Sequence, residues 1–399
     1  MHSHVRRRKT VVFFAPDVSD VSTIKRAEAF IAYGFRLQVL GFRRDNYNRD
    51  FQPTWPFISL GRTKDNRYAQ RITALLKAAW KVIAVRAVFR DTEIFYARNI
   101  DQLILALLAR FLGNRSARIA YEVLDIQPAF VGSGWLSRFL RLAERFGLRR
   151  TNLLVVSSPG FVRHYFSPVQ DYDGSWFLLE NKLSSDFPLA TGARPPSGVP
   201  TAPRTRYRWV VGYCGLIRGQ ETIDMIIRIA ERLQGLVLFR FRGIFTTANR
   251  ETLMRATLRL DNLVYEGDYV NPRDLAGIYG DLDFAWAVDL ENRQHNSRWL
   301  LPCRFYEAGY FGVPCLAAHG FEVGRLIDKD QLGWTFDDPY EDAIVQFFKT
   351  LTQTEYDEVR QRLLGMPTSA FVAGDDTTRL MQLIDTGDAE ERLRQMAAE

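Results

Sequence analysis

Cysteine is scarce in this sequence and follows no metal-binding pattern. The 399 residues include three cysteines, Cys214, Cys303 and Cys315, and their separations match no usual spacing of a zinc site. An odd number leaves at least one thiol unpaired, which is typical of a protein from a reducing compartment. We therefore interpret all three as small core residues and expect no metal there.

Long apolar runs are absent as well. The run "LILALLA" lies between Asp101 and Arg110 and is far shorter than the roughly 18 to 20 residues that span a bilayer. The basic residues 6–9 precede an apolar stretch that ends at Pro16, too early for a secretory signal. The sequence therefore predicts a cytoplasmic protein with no transmembrane helix.

Glycine-rich nucleotide motifs are also missing. The first apolar run continues as "VVFFAPDVSDVS", without the G-x-G-x-x-G that would hold a dinucleotide, and no P-loop occurs. The acidic triplets at 171–173 and 281–283 are short patterns that often arise by chance. We expect no cofactor and no metal ion.

Basic residues are concentrated in the first half of the chain. Residues 1–190 contain 29 Lys and Arg against 16 Asp and Glu, whereas the remainder contains 24 against 30, so the overall +7 divides into +13 and −6. A basic half indicates an anionic partner such as lipid headgroups, a phosphorylated substrate or nucleic acid.

Short apolar runs alternate with helical patterns throughout, which indicates parallel sheets covered by helices. The first half has six candidate strands and the second half another six; in order they begin with "TVVFFAP", "RLQVLGF", "EIFYAR", "RIAYEVLD", "LLVVSS" and "WFLLEN", and then "RWVVGYCGL", "LVLFRFRG", "LVYEGDYV", "DFAWAVDL", "PCLAAHG" and "GWTFDD". The predicted fold is α/β, with two doubly wound Rossmann-like domains that face a cleft.

Four segments follow from this pattern. We predict an N-terminal domain over 1–190, a Pro- and Gly-rich linker over 191–205, a second domain over 206–350 and C-terminal helices over 351–399. Ligands of such folds bind at the carboxyl ends of the strands.

The start of the second series predicts an anion site. In "VVGYCGLIRGQETIDM" a strand is followed by Gly215, Arg218 and Gly219 and then by a helix. Backbone N–H groups, the positive end of the helix dipole and a guanidinium together suit a diphosphate. The alternative is a turn with a solvated arginine.

One carboxylate interrupts an otherwise apolar helix in "WLLPCRFYEAGYFGVPCLAAHG". Pro302 begins the predicted helix, and Gly312 ends it before the apolar run 315–318. Burial of an unpartnered charge costs several kcal/mol, so Glu307 either faces solvent or accepts hydrogen bonds in a cleft.

The order of these motifs resembles GT-B glycosyltransferases of the family 4 (group 1) type. The nucleotide-sugar half of that family carries the loose patterns G-x-L-x-x-x-K-G and P-x-[KR]-x-x-E-x-x-x-x-G-x-P, similar here to "GLIRG" and "PCRFYEAGYFGVP". The first-half segments "YARNIDQLILALL", "IAYEVLDIQPAF", "VVSSPGF" and "LLENKL" are similar to bacterial exopolysaccharide transferases of the succinoglycan kind. The resemblance covers about residues 10–350.

The resemblance implies an acceptor and membrane-facing domain over 1–190 and a nucleotide-sugar donor domain over 206–350. Glu307 would accept hydrogen bonds from the two ribose hydroxyls, and Arg218 and Arg304 would neutralise the diphosphate. The E-x7-E pattern of the family is incomplete, because Trp299 occupies the first position. Polar residues just before it, among them Asn296, would take over contacts to the donor, so a retaining mechanism does not follow from the resemblance.

Acids at strand ends of the first half are the candidates for a catalytic base. Asp125 is the first candidate and Asp17 the second, with Asp101 and Glu122 as further acids in similar positions. Helix capping or loop hydrogen bonding is the alternative role of each.

Two helical stretches carry apolar and basic stripes side by side. Over 135–150 the apolar stripe runs through Trp135, Phe139, Leu142 and Phe146, flanked by Arg138, Arg141, Arg145 and Arg149; over 67–83 it runs through Ile72, Leu76, Trp80 and Ile83, opposite Arg67, Arg71 and Lys81. This pattern suits a helix on an anionic membrane and equally a core-facing helix with a solvated basic side.

These observations predict a metal-independent hexosyltransferase. It would move a hexose from a nucleotide diphosphate sugar to a lipid-linked oligosaccharide at the inner face of the plasma membrane, in bacterial polysaccharide biosynthesis, and no nucleic acid partner is expected. Two alternatives stay open: a nucleotide-sugar epimerase of the same fold, and a non-catalytic membrane or nucleic-acid binding protein.

Overall fold

A computed structural model describes residues 8–44, 51–63, 68–184 and 206–387. Contacts divide the chain into two compact units, one formed by residues 1–179 together with 375–399 and the other by residues 180–374. The predicted linker over 191–205 lies outside the described residues.

The first unit contains a parallel sheet of seven strands. The strands are β1 (Thr10–Ala15), β2 (Arg36–Arg43), β3 (Phe57–Arg62), β4 (Ile94–Arg98), β5 (Arg118–Val123), β6 (Leu153–Val156) and β7 (Trp176–Leu178). Their order across the sheet is β3-β2-β1-β4-β5-β6-β7. All six strands predicted in this half are confirmed, and β3 is an addition that the sequence analysis missed.

Seven helices of the first unit lie within the residues that the structure describes. They are α1 (Val21–Tyr33), α2 (Tyr68–Ala84), α3 (Ile100–Leu112), α4 (Pro128–Val131), α5 (Trp135–Leu148), α6 (Pro159–Phe161) and α15 (Asp376–Thr386), and 3-10 and π turns lie at Arg86–Phe89 and Val162–Phe166. Asp20 caps the N-terminus of helix α1, where its carboxylate accepts a hydrogen bond from the Thr23 N–H, and Gly34 caps the C-terminus in a left-handed conformation, as the capping rules predict.

The last helix, α15, packs in the core of the first unit. Leu380, Met381 and Ile384 are buried in one apolar cluster with Val11 and Phe13 of β1. The chain therefore returns to this unit at its C-terminal end.

The second unit contains a parallel sheet of six strands. They are β8 (Trp209–Ile217), β9 (Val237–Phe245), β10 (Leu263–Tyr265), β11 (Phe284–Trp286), β12 (Cys315–Ala318) and β13 (Gly333–Phe336), in the order β10-β9-β8-β11-β12-β13. All six coincide with predicted strands. The helices are α7 (Gln220–Arg232), α8 (Arg250–Arg259), α9 (Leu275–Gly280), α10 (Asn296–Trp299), α11 (Cys303–Tyr310), α12 (Glu322–Asp330), α13 (Tyr340–Thr350) and α14 (Gln353–Gly365), with a 3-10 turn at Thr368–Ala370.

Both sheets are doubly wound, which confirms the predicted Rossmann-like architecture. Strand order reverses beside β1 in the first unit and beside β8 in the second, and ligands of such sheets bind at the carboxyl ends of the strands near the reversal. The segments that follow β1, β4 and β5, and those that follow β8 and β11, are therefore where functional side chains are expected. Within the described ranges, no helix combines the length and apolar character needed to cross a bilayer.

Candidate functional site

Glu307 is buried and already holds two hydrogen bonds. Its side chain lies on α11 and is 6% exposed. One carboxylate oxygen accepts from Asn271 Nδ2 at 3.0 Å and the other from the Tyr279 hydroxyl at 2.8 Å. These contacts orient the carboxylate. Because a carboxylate oxygen can accept more than one hydrogen bond, they do not by themselves prevent it from accepting others. The alternative that Glu307 faces solvent is wrong.

Arg304 lies one helical turn before Glu307 on the same helix. Its guanidinium packs 4.3 Å from the ring centroid of Tyr213 on β8 and donates to the Trp286 carbonyl at the end of β11. Burial acts to lower the pKa of Arg304, but the nearby Tyr213 and Asp289 outweigh it, so the pKa is raised and the group stays cationic. The second unit thus holds a fixed, half-buried cation at the carboxyl edge of its central strands.

Gly215 connects this cation to the backbone of β8. Its φ is 111°, a value that favours glycine. A Cβ built at this position would meet one neighbour, Arg304 Nη2 at 3.8 Å. The guanidinium therefore lies beside half-buried backbone near the carboxyl end of β8, an arrangement that suits a phosphate.

Arg218 is paired with acids that the sequence analysis did not connect to it. Its Nε and Nη2 atoms lie 2.8 and 2.7 Å from Asp289 Oδ2, and Nε lies 3.7 Å from Glu291 Oε2. Both acids lie just beyond β11, the strand beside β8. The alternative that Arg218 is solvated is wrong, because its guanidinium lies within ion-pair distance of both carboxylates.

Gly219 lies at the N-terminus of α7, next to this pair. Its φ is 74°, and a Cβ there would lie 3.1 Å from the Glu291 Cβ. Its N–H donates to Thr247 Oγ1 at 3.2 Å, and that hydroxyl donates in turn to Glu291. Gly219 is buried, and its N–H is directed at Thr247. Its role in the structure is therefore to allow the close packing of this turn against Glu291.

Asn296 is buried on α10, in the segment that leads from β11 to α11. It is 6% exposed, and the neighbouring Ser297 is 3% exposed and accepts a hydrogen bond from the Asn292 N–H. Trp299, the residue in the position of the missing acid, is 8% exposed. The segment therefore combines buried polar groups with an apolar residue where the resemblance would place a carboxylate.

The two candidate bases differ in their surroundings. Asp125 is exposed and lies two residues beyond the end of β5. Asp17 is 6% exposed, and its Oδ1 accepts from the Ser19 N–H, the Ser19 hydroxyl and the Arg44 N–H. These contacts to Asp17 match the loop-bonding alternative, and a catalytic role for either acid stays a prediction.

Glu122 has a structural environment instead. This carboxylate on β5 is 2% exposed and lies 3.0 Å from Arg26 Nη2 and 2.8 Å from Arg98 Nη2. Burial acts to raise the pKa of Glu122, but the two guanidinium groups lower it to about 2. Arg98 also donates to Ser22 and Thr23 at the start of α1, so the cluster fixes that helix to the sheet.

Helix α5 presents its apolar stripe to solvent. Trp135 is 80% exposed, and Phe139, Leu142 and Phe146 are 61%, 62% and 55% exposed. The opposite face is polar and buried: Glu144 is 3% exposed and accepts from Tyr121 and Tyr165 hydroxyls and from Gln170 Nε2. The alternative of a core-facing apolar stripe is therefore wrong for this helix.

The arginines of α5 do not all flank the stripe. Arg141 donates to the carbonyls of Phe130 and Gly132, and Arg145 donates to that of Val169, so these two hold the helix in place. Arg138 and Arg149 are exposed. The predicted row of four solvated arginines is thus reduced to two.

Neighbouring helices extend the exposed apolar area. Helix α3 packs against both α2 and α5. It exposes Ile104 and Phe111, while α2 exposes Leu76 and Trp80. Arg115 stacks 4.4 Å from the ring centroid of Phe111 and Arg150 3.6 Å from that of Phe146. We call the exposed apolar residues of these three helices the aromatic surface. Residues 67, 71 and 72 of the predicted α2 stripe lie outside the described side chains.

Metal ligands are not clustered in the described part of the chain. No group of three or more His, Cys, Asp or Glu side chains there is arranged to hold an ion. None of the three cysteines forms a disulfide; Cys214 and Cys315 are buried and Cys303 is exposed. The interpretation of Cys303 as a core residue is therefore wrong, since it lies at the exposed start of α11.

Comparison with known proteins gives one relative over nearly the whole chain. The succinoglycan biosynthesis protein ExoL of Rhizobium meliloti (strain 1021) is 29% identical over 394 residues, which cover 97% of this chain and 93% of ExoL. No protein-family model matches the chain.

Solved structures match both units together with little sequence identity. Sucrose-phosphate synthase from Thermosynechococcus elongatus superposes with a TM-score of 0.67 at 12% identity, covering 98% of this chain and 100% of that one. Anabaena Alr3699/HepE in complex with UDP gives 0.64 at 12% identity, covering 94% and 100%. The sequence-based resemblance is confirmed: the chain has the GT-B glycosyltransferase fold and is a homologue of a succinoglycan biosynthesis protein.

Proposed function

We propose that this protein is a glycosyltransferase that transfers a hexose from a nucleotide diphosphate sugar to a lipid-linked saccharide during bacterial polysaccharide assembly. The second unit binds the donor, and the first unit binds the acceptor at the inner face of the plasma membrane. The observation that carries the proposal is the pairing of Glu307 and Arg304 one turn apart on α11.

The donor site is supported by the chemistry of these two side chains. A nucleoside diphosphate offers ribose hydroxyls as donors and a diphosphate as an anion, and Glu307 and Arg304 are complementary to both. Asn271 and Tyr279 already fix the Glu307 carboxylate, so binding requires little reorganisation of that group. UDP is bound by the structurally similar HepE, and UDP is therefore the first ligand to test.

The membrane role is supported by the aromatic surface. A helix with outward aromatic residues and basic residues beside them lies in the headgroup region of an anionic bilayer. Among the described residues the apolar face of α5 stays exposed, while its polar face is satisfied internally. This feature favours a transferase with a lipid-linked acceptor over an epimerase, whose substrate is soluble.

The transfer itself requires a base or a stabilised leaving group. Asp125 is proposed as the base that receives the acceptor's proton, and Asp17 is the second choice. Arg304 would stabilise the charge that develops on the departing diphosphate, a role that needs no metal ion. We accordingly propose a metal-independent reaction without a cofactor.

A thermal-shift screen with UDP, GDP, ADP and dTDP and their sugars tests the donor site. A bound nucleotide raises the melting temperature because it binds the folded state alone. The variant Arg304→Gln should lose that shift, whereas Arg228→Gln, which removes an exposed arginine of the same unit paired with Glu341, should retain it. If no nucleotide shifts the wild-type protein, the proposed donor site is refuted.

A further inference from the structure

The pair of acids beside Arg218 points to a step after sugar transfer. Asp289 has an exposed side-chain fraction of 13%, Glu291 of 21% and Arg218 of 24%. All three therefore lie partly open at the carboxyl edge of β8 and β11. The single guanidinium of Arg218 lies beside two carboxylates, so these three side chains together are net negative.

Asp289 also acts on the second guanidinium of the site. It contributes to the field that keeps Arg304 cationic, while its Oδ2 binds Arg218 and its Oδ1 accepts from the Glu291 N–H. The Glu291 N–H and the Arg218 guanidinium thus hold this carboxylate in a fixed position. It lies next to the groups expected to bind the diphosphate.

Glycosyl transfer changes the charge of the nucleotide in a defined way. The bond between the sugar C1 and the β-phosphate oxygen breaks, and its electron pair stays on that oxygen. A new bond joins C1 to the acceptor oxygen, whose proton leaves to a base. The donor carries about two negative charges and the released nucleoside diphosphate about three, since the second pKa of a terminal phosphate is about 6.

We propose that Asp289, supported by Glu291, is a resident counter-anion that discriminates against the nucleoside diphosphate product and speeds its release. Both nucleotides must share Arg218 with Asp289. The product carries its additional charge on the β-phosphate, at the end that was attached to the sugar, and is repelled more strongly than the donor. This inference rests on the proposed donor site in the second unit.

Calorimetry on Asp289→Asn and Glu291→Gln tests the inference, with the nucleotide selected in the thermal-shift screen as the probe. Each variant keeps the size of the side chain and removes one charge. Asp289→Asn should raise the affinity for the nucleoside diphosphate by about 10-fold or more, as expected for the loss of one repulsive charge contact. The affinity for the nucleotide sugar should rise by clearly less. Product inhibition of transfer should deepen in parallel. Glu291→Gln should act in the same direction with a smaller effect, because its oxygen lies 3.7 Å from Arg218 Nε.

Glu221→Gln is the matched control. Glu221 lies on the first turn of α7, is 53% exposed and faces Arg293 rather than Arg218, so both affinities should stay at the wild-type values. Melting curves of all variants verify that the unit is folded.

The inference is overturned if Asp289→Asn changes the affinities for product and donor by the same factor. It is also overturned if the variant weakens the nucleoside diphosphate, because Asp289 would then position Arg218 for binding. These results differ from failure of the proposed function, in which the wild-type protein binds no nucleotide at all. If Asp289→Asn fails to fold, the ratio of the two affinities in Glu291→Gln decides between the outcomes.

Discussion

Trp135 provides the sharpest test of the aromatic surface. It begins α5 and is 80% exposed, so its replacement by alanine removes no core packing. A tryptophan side chain buries about 150 to 250 Å², and four fifths of that is about 160 Å². At about 25 cal/mol per Å², complete insertion of this area is worth about 4 kcal/mol, and insertion to half that extent about 2 kcal/mol. We therefore expect Trp135→Ala to weaken binding to anionic vesicles by about 30-fold.

Sedimentation with vesicles of mixed anionic and neutral phospholipid measures this loss. The melting temperature should stay within about a degree of wild type, because surface substitutions change stability by roughly 0.5 kcal/mol or less. Leu258→Ala is the matched control, since Leu258 is 89% exposed on α8 of the second unit and lies outside the aromatic surface. Wild-type pelleting by Trp135→Ala, or a loss of stability without a loss of binding, would refute the reasoning.

Three further outcomes are expected. Glu307→Gln should lower donor affinity by about 10- to 100-fold in calorimetry, because charge-assisted bonds to ribose hydroxyls are worth about 1.5–3 kcal/mol; unchanged affinity would remove the carboxylate from the donor site. The pKa of Glu122 is lowered to about 2 from an ordinary 4.5, so the ionised carboxylate stabilises the fold above pH 4.5. About 3 kcal/mol of the free energy of unfolding should therefore be lost between pH 5 and pH 2, which urea titrations at each pH would measure. Asp125→Asn should bind donor normally and transfer on the order of 100-fold more slowly, with EDTA having no effect on wild type; near-normal rates there and in Asp17→Asn would indicate another base or a retaining mechanism.

The sheets could be predicted from local sequence because their strands are continuous apolar runs. Such runs are the mark of strands buried on both faces, and the twelve candidates all became strands. The strand β3 (Phe57–Arg62) was missed because its pattern is half exposed and its run is short. Glu307 was found because a single acid in an apolar helix is conspicuous at the level of sequence.

The orientation of α5 could not be predicted in the same way. An apolar stripe ordinarily marks the buried face of a helix, and the stripe alone leaves both orientations open. The deciding partners of Glu144 are Tyr121, Tyr165 and Gln170, which come from two other segments of the chain. The partner of Arg218 was missed for the same reason, because Asp289 is 71 residues away in sequence and becomes its neighbour only through the pairing of β8 with β11.

The return of α15 to the first unit has a consequence for biosynthesis. Leu380, Met381 and Ile384 complete the apolar cluster around β1, yet they follow the whole second unit in sequence. Folding during translation generally proceeds from the N-terminus as each domain emerges. Here the strands of the first unit emerge before the second unit, but their apolar cluster stays incomplete until Asp376–Thr386 has been added, so the second unit can finish folding while the first still exposes apolar side chains. The nascent first unit is consequently the part of the chain in greater need of chaperone protection, and a stop codon placed before residue 376 would leave that unit without the helix that completes its core.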